Sequence, residues 1–86
     1  MARYLTMQRS IVPSGDREEF RKRMKERRAH FEKADCKLWS FEEVGLAGAI
    51  IEFIESSSEE SLVKALKSAP GSGGENARIY KELEPG

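Results

Sequence analysis

The stretch Ala49-Ile50-Ile51-Glu52-Phe53-Ile54 decides the fold, because it is the most apolar run in the chain. A strand that is apolar at nearly every position is typical of burial on both faces and of a central place in a sheet. We therefore predict a central strand from Ala49 to Glu55. Glu52 interrupts the apolar row, where an unpaired carboxylate would be costly. It is therefore expected to form a structural ion pair or an inter-subunit contact, or to act as a general base.

The segment before this strand predicts a second strand, from Cys36 to Val44. Trp39 and Phe41 fall on one of its faces and Leu38 on the other, which is the period of two expected for a strand. The connection Gly45-Leu46-Ala47-Gly48 is short, so these two strands should form an antiparallel hairpin.

The N-terminal part of the chain predicts a strand and then a long charged helix. From Tyr4 to Val12 apolar and polar residues alternate, as in a half-buried strand. A helix should follow from Asp16 to about Ala34, with Asp16 and Glu19 spaced as a capping box. Its apolar residues lie within roughly 80° of one another, a stripe that packs on a sheet. They are Phe20, Met24, Phe31 and Ala34.

The C-terminal part predicts a second helix, a flexible loop and a last strand. Ser57 and Glu60 have capping-box spacing, and the apolar stripe of the helix consists of Leu62, Leu66 and Ala69. Pro70 ends this helix. The glycine-rich segment 71–76 should be the most mobile internal part of the chain, and residues 77–83 should form the final strand.

The order of these elements predicts an α+β fold, a ferredoxin-like βαββαβ sandwich formed by a single domain over residues 1–86. Its four-stranded antiparallel sheet would carry two helices on one face. The other face would then expose an apolar surface larger than a monomer usually tolerates. We therefore expect a homodimer that forms through this face.

Composition excludes several classes of protein. The 15 basic and 15 acidic residues give a net charge of zero, so nothing indicates nucleic-acid binding. The RNA-recognition motif shares this element order but needs exposed aromatics on its central strand, where Ala47, Ala49 and Ile51 stand here. No apolar run is long enough for a membrane span, and the single Cys36 favours the reducing cytoplasm. No metal-ligand spacing and no cofactor motif occurs.

Candidate site residues cluster on the first helix. Arg27 projects into the apolar stripe, with Arg23 and His30 on its flank. Arg27 either reaches the sheet edge, pairs with a carboxylate such as Glu52, or lines an anion pocket with Arg23 and His30. Under the pocket hypothesis His30 and Glu52 are the candidate catalytic residues.

Three aromatic residues, Trp39, Phe41 and Tyr4, could wall a pocket for a flat ligand, with core or dimer interface as the alternative. A nucleophilic role for Cys36 is disfavoured, because no cation stands nearby in sequence to activate its thiol.

The stretches Ala49–Ser56, Ser58–Leu62 and Lys64–Leu66 resemble the dimeric α+β barrel superfamily, in particular small proteins related to antibiotic-biosynthesis monooxygenases. The resemblance implies that the sheets of two protomers close into one barrel, with a cleft between the sheet and the helices of each. It implies a small-molecule-binding protein, with a cofactor-independent monooxygenase or isomerase as its enzymatic form. The alternative function is a non-catalytic protein-interaction module on the same scaffold, with the charged helix as docking surface.

Overall fold

The computed structural model describes residues 3–69 and 78–84. The elements are β1 (Tyr4–Ile11), a 3-10 turn (Ser14–Asp16), α1 (Arg17–Lys33), β2 (Lys37–Glu42), β3 (Ala49–Ser56), α2 (Glu59–Ser68) and β4 (Tyr80–Lys81). Within the described residues the strands form one four-stranded antiparallel sheet in the order β2-β3-β1-β4. This α+β arrangement is compatible with a ferredoxin-like fold. The predicted central position of β3 is confirmed.

The strand register sorts the side chains onto two faces of the sheet. In β3, Ile54 packs into the core with the helices, so the face that it shares with Ile50 and Glu52 is named the covered face. The opposite face, which includes Phe53, is named the open face. Across the β1–β3 ladder Thr6 stands opposite Ile54, and Met7 opposite Phe53. The polar side of β1 therefore faces the helices, and its apolar side lies on the open face.

The core lies at one end of the covered face. Phe31 of α1 and Leu62 of α2 are fully buried there, and both contact the same cluster as Leu38 and Ile54. Because α1 has 17 residues and α2 only 10, α2 is shorter by about 10 Å at 1.5 Å per residue. The N-terminal half of α1 therefore extends over the sheet beyond the core.

The helix starts differ from the predicted capping boxes. Ser58 is the N-cap of α2, and its hydroxyl accepts a hydrogen bond from the Ser61 N–H at 3.2 Å; the prediction of Ser57 is wrong by one residue. Asp16 precedes α1 but its side chain makes no cap hydrogen bond. The 3-10 turn holds Asp16 at φ −104° and ψ 7°, outside the extended region that N-cap residues favour.

Replacing Ser58 with alanine should lower the free energy of unfolding by about 1 kcal/mol, because an N–H at the start of α2 loses its acceptor. The matched control is Ser57→Ala, which should change that free energy by less than about 0.5 kcal/mol because Ser57 is exposed. Urea unfolding of both variants checks the assignment. Equal losses at the two positions would contradict it.

The β2–β3 hairpin docks on the end of β1 through Gly48. The Val12 N–H donates to the Gly48 carbonyl at 2.7 Å, and the Gly48 N–H donates to Glu42 Oε2 at 2.8 Å. Glu42 also pairs with Arg17 at the start of α1. Gly48 has a φ of +89°, a conformation that glycine adopts at little cost. This residue therefore joins the hairpin, β1 and α1.

Acidification should weaken this junction. The Gly48 N–H, with a smaller contribution from Arg17, holds the pKa of Glu42 below its ordinary value of 4.5. A carboxyl group whose pKa is lowered by folding stabilises the fold above its unfolded pKa, and this stabilisation is lost as the pH falls through the folded pKa. Glu42→Gln should therefore flatten the fall in unfolding free energy between about pH 5 and pH 3. Urea unfolding of the wild type and of Glu42→Gln across this pH range checks the prediction. If the unfolding free energy of both falls equally steeply with pH, the prediction is wrong.

The last strand is shorter than predicted. Among the described residues, only Tyr80 and Lys81 pair with β1. Arg3 then holds the chain beyond β4, with its guanidinium 2.7 Å from Glu82 and 3.2 Å from Glu55. This guanidinium lowers the pKa of Glu82. The predicted mobile segment 71–76 lies outside the described residues.

None of the helices in the described part of the chain combines the length and hydrophobicity that a membrane crossing needs.

Candidate functional site

A cavity of about 360 Å³ lies between the N-terminal half of α1 and the covered face. Its apolar wall includes Phe20, Met24 and Ile50, and its uncharged polar wall consists of Gln8 and Ser10. The cavity lies under the part of α1 that extends beyond the core. Its volume falls within the usual range for small-molecule sites, about 300–1,000 Å³.

The central polar feature of this cavity is an ion pair between Arg27 and Glu52. Arg27 Nη2 donates to Glu52 Oε1 at 2.7 Å, and the side chains are 16% and 12% exposed. The Arg27 guanidinium also lies 5.4 Å from the centroid of the Phe31 ring, within the range of a cation–π contact. The predicted pairing of Arg27 with Glu52 is confirmed. Its geometry explains how an α1 cation and a β3 carboxylate are both tolerated among apolar residues.

Two further charged residues line the same cavity from α1. Arg23 stands one turn before Arg27, and Glu26 lies beside them. Both are exposed, so they belong to the mouth of the cavity. With the Arg27–Glu52 pair, the charged groups lining the cavity carry two positive and two negative charges. The structure therefore brings Arg23, Arg27 and Glu52 together at one cavity.

His30 is directed toward α2. Its Nε2 lies 3.0 Å from the Ala65 carbonyl oxygen and 3.3 Å from Ser68 Oγ, and its ring meets Phe31 edge-on at 5.2 Å. His30 lies three residues beyond Arg27, in the part of α1 that packs near α2. The structure thus gives His30 a contact between the helices and does not place it with Arg27 at the cavity.

The open face carries a shallow aromatic depression of about 500 Å³. Trp39 and Phe41 lie on its wall, as predicted for a shared face, and Phe41 meets Phe53 edge-on at 5.8 Å between centroids. Tyr80 completes the aromatic lining. Tyr4 does not join them, because the register turns it to the covered face, where it packs against the core.

Several residues that line the cavity or the aromatic depression were not among the site residues predicted from the sequence. Gln8 and Ser10 alternate with apolar neighbours, a pattern that usually puts polar residues toward solvent; both are exposed, and they also line the open cavity. Phe53 and Tyr80 lie on the open face. Phe53 could have been found, since the hairpin register sets it opposite Trp39.

Burial disfavours a reactive role for the Cys36 thiol. Cys36 is 3% exposed, and burial raises the pKa of its thiol, which disfavours the reactive thiolate. Within residues 3–69 and 78–84, no group of three or more His, Cys, Asp or Glu side chains could hold a metal ion.

Comparison of the chain with protein-family models, curated proteins and solved structures gave no match. The site geometry and the residue pattern are therefore the basis for any statement of function. Since a fold alone does not define a function, the function is inferred from the lining of the cavity and from the exposed sheet face.

Proposed function

We propose that this chain is a homodimeric small-molecule-binding protein of the dimeric α+β barrel kind, acting in the cytoplasm. Its ligand is a carboxylate with an apolar body, bound in the cavity under α1. The observation that carries this proposal is the largely buried Arg27–Glu52 pair in the wall of a cavity of about 360 Å³. Such a cavity offers fixed donors beside apolar surface, the combination that ligand sites use.

The ligand's carboxylate would bind at the arginine end of the cavity. Arg27, paired with Glu52, provides a fixed cation in the wall of the cavity. Arg23 at the mouth adds a second cation. The apolar body of the ligand would pack against Met24 and Ile50. Binding and not catalysis is proposed, since Glu52 is held by Arg27 and His30 contacts α2.

Calorimetric titration with 2-naphthoate and its neutral analogue 2-naphthamide tests this site. The carboxylate should bind more tightly than the amide by about tenfold or more, because charge-assisted hydrogen bonds to arginine are stronger than neutral ones. Arg23→Met should remove most of that preference while leaving the fold intact, because Arg23 is exposed. If carboxylate and amide bind equally, or neither binds, the proposed function is wrong.

The open face supports the homodimer. It exposes a row of large apolar side chains that neither helix covers, including Met7 (47%), Ile11 (63%), Trp39 (43%) and Phe41 (55%). Several large apolar side chains exposed on one face of a sheet are uncommon on a monomer and mark an interface. A second copy of the chain is the proposed occupant, because its identical open face would bury these residues reciprocally. The interface should exceed about 1,000 Å² in total.

Sedimentation equilibrium at micromolar concentration should give the mass of a dimer. Phe41→Lys should shift it to the monomer, because a charge would be buried at the interface. Lys22→Ala on the exposed side of α1 is the control and should leave the dimer unchanged. A wild-type chain that sediments as a monomer would refute the interface.

A further inference from the structure

A second, smaller cavity of about 180 Å³ adjoins the first under the start of α1. The two cavities share three lining residues, Val12, Phe20 and Ile50. Val12 and Ile50 come from the sheet side, whereas Phe20 comes from the helix. The two cavities therefore lie next to each other with these three residues at their boundary, and together they are named the groove.

We propose that Phe20 sets the length of ligand that the site accepts. This inference rests on the proposed function, since it concerns the same ligand. Phe20 is the largest of the three boundary side chains and the one contributed by α1. Because it is only partly buried, its ring can be removed with less damage to the core than that of Phe31, which is fully buried.

The chemistry of the groove defines the ligand class. At one end Arg23, beside the Arg27–Glu52 pair, would hold the carboxylate, and the apolar body would extend along Met24 toward Phe20. Beyond Phe20 the smaller cavity is bounded by the Arg17–Glu42 pair and Gly48. The wild-type site should therefore take a short arylalkanoate or alkanoate whose tail ends at the Phe20 ring. A longer tail would meet that ring.

A series of ω-phenylalkanoates, from 3-phenylpropanoate to 8-phenyloctanoate, tests this by calorimetric titration. In the wild type the affinity should rise with chain length, because more apolar surface is buried, and then fall once the tail reaches Phe20. In Phe20→Ala the best-bound member should be longer. The ratio of the affinity for the longest member to the affinity for the shortest should be about tenfold or more higher in Phe20→Ala than in the wild type. Burial of a few additional methylene groups accounts for an increase of this size.

Met24→Ala is the matched control, since Met24 lines the larger cavity and is not among the residues lining the smaller one. Met24→Ala should lower the affinity for every member of the series by a similar factor and leave the preferred ligand length unchanged. If Phe20→Ala does not fold, Phe20→Leu should show the same shift to a smaller degree. An unchanged preferred length in a folded Phe20 variant, or the same shift in Met24→Ala, overturns the inference alone. Failure of the whole series to bind the wild type overturns the proposed function as well.

Discussion

Replacing Gly48 with alanine is expected to lower the free energy of unfolding by about 3 kcal/mol or more. A Cβ at this position would lie 2.5 Å from the Val12 carbonyl oxygen, and the contact is with backbone that cannot move away by a rotamer change. The φ of +89° adds strain for any residue with a side chain. The left-handed backbone costs roughly 1–2 kcal/mol, and overpacking costs about 1–3 kcal/mol.

Gly45→Ala is the control for this prediction. It lies in the same hairpin, but a Cβ there meets nothing within 4 Å. Its effect should stay within about 0.5 kcal/mol. Chemical unfolding of both variants gives the comparison. If Gly48→Ala is as stable as Gly45→Ala, the docking of the hairpin on β1 is wrong.

Arg27→Met is expected to lower the free energy of unfolding by about 3 kcal/mol. The substitution keeps most of the length of the side chain but leaves the Glu52 carboxylate, 12% exposed, without its guanidinium. Breaking a buried pair by removing one partner costs about 3–5 kcal/mol. The residual exposure of both side chains places the expected loss at the lower end of that range. Urea unfolding measures it.

Two variants separate this effect from a general loss of charge. Arg23→Met removes a cation one turn away on the exposed mouth of the cavity and should cost less than about 0.5 kcal/mol. Adding Glu52→Gln to Arg27→Met should recover part of the loss, because no ionised carboxylate is then left without a partner. If Arg27→Met and Arg23→Met have equal stability, the pair does not stabilise the fold and Arg27 acts in binding alone.

The Arg27–Glu52 pair could be predicted from the sequence because each of its residues interrupts a strong apolar pattern. The doubly apolar run around Glu52 required a central strand, and the antiparallel register then placed Glu52 on the covered face. Arg27 interrupted the apolar stripe of the first helix, so the two misplaced charges indicated each other. Both anomalies are local in sequence, and for that reason the Arg27–Glu52 pair could be found before the structure was known.

The positions of His30 and of the cavity depend on the relative lengths of α1 and α2, which the residue pattern of the sequence does not show. α2 covers only part of the sheet, so the polar side of β1 with Gln8 and Ser10 became the cavity wall. The register of β1 with β3 places the apolar side of β1, including Met7, on the open face. His30 shares a flank with Arg23 on the helix, but it lies next to α2 and contacts Ala65. These positions follow from the packing of the helices on the sheet and not from the local residue pattern.

We propose that the covered face binds the ligand while the open face joins two copies. Titration of the ¹⁵N-labelled dimer with 2-naphthoate, followed by amide chemical shifts, tests it most directly. The amide shifts should cluster at Gln8, Arg27 and Glu52. Trp39 and Phe53 on the open face should stay unchanged. Shifts that cluster at Trp39 and Phe53 would show that this assignment of the faces is wrong, because the ligand would then occupy the face assigned to the second copy.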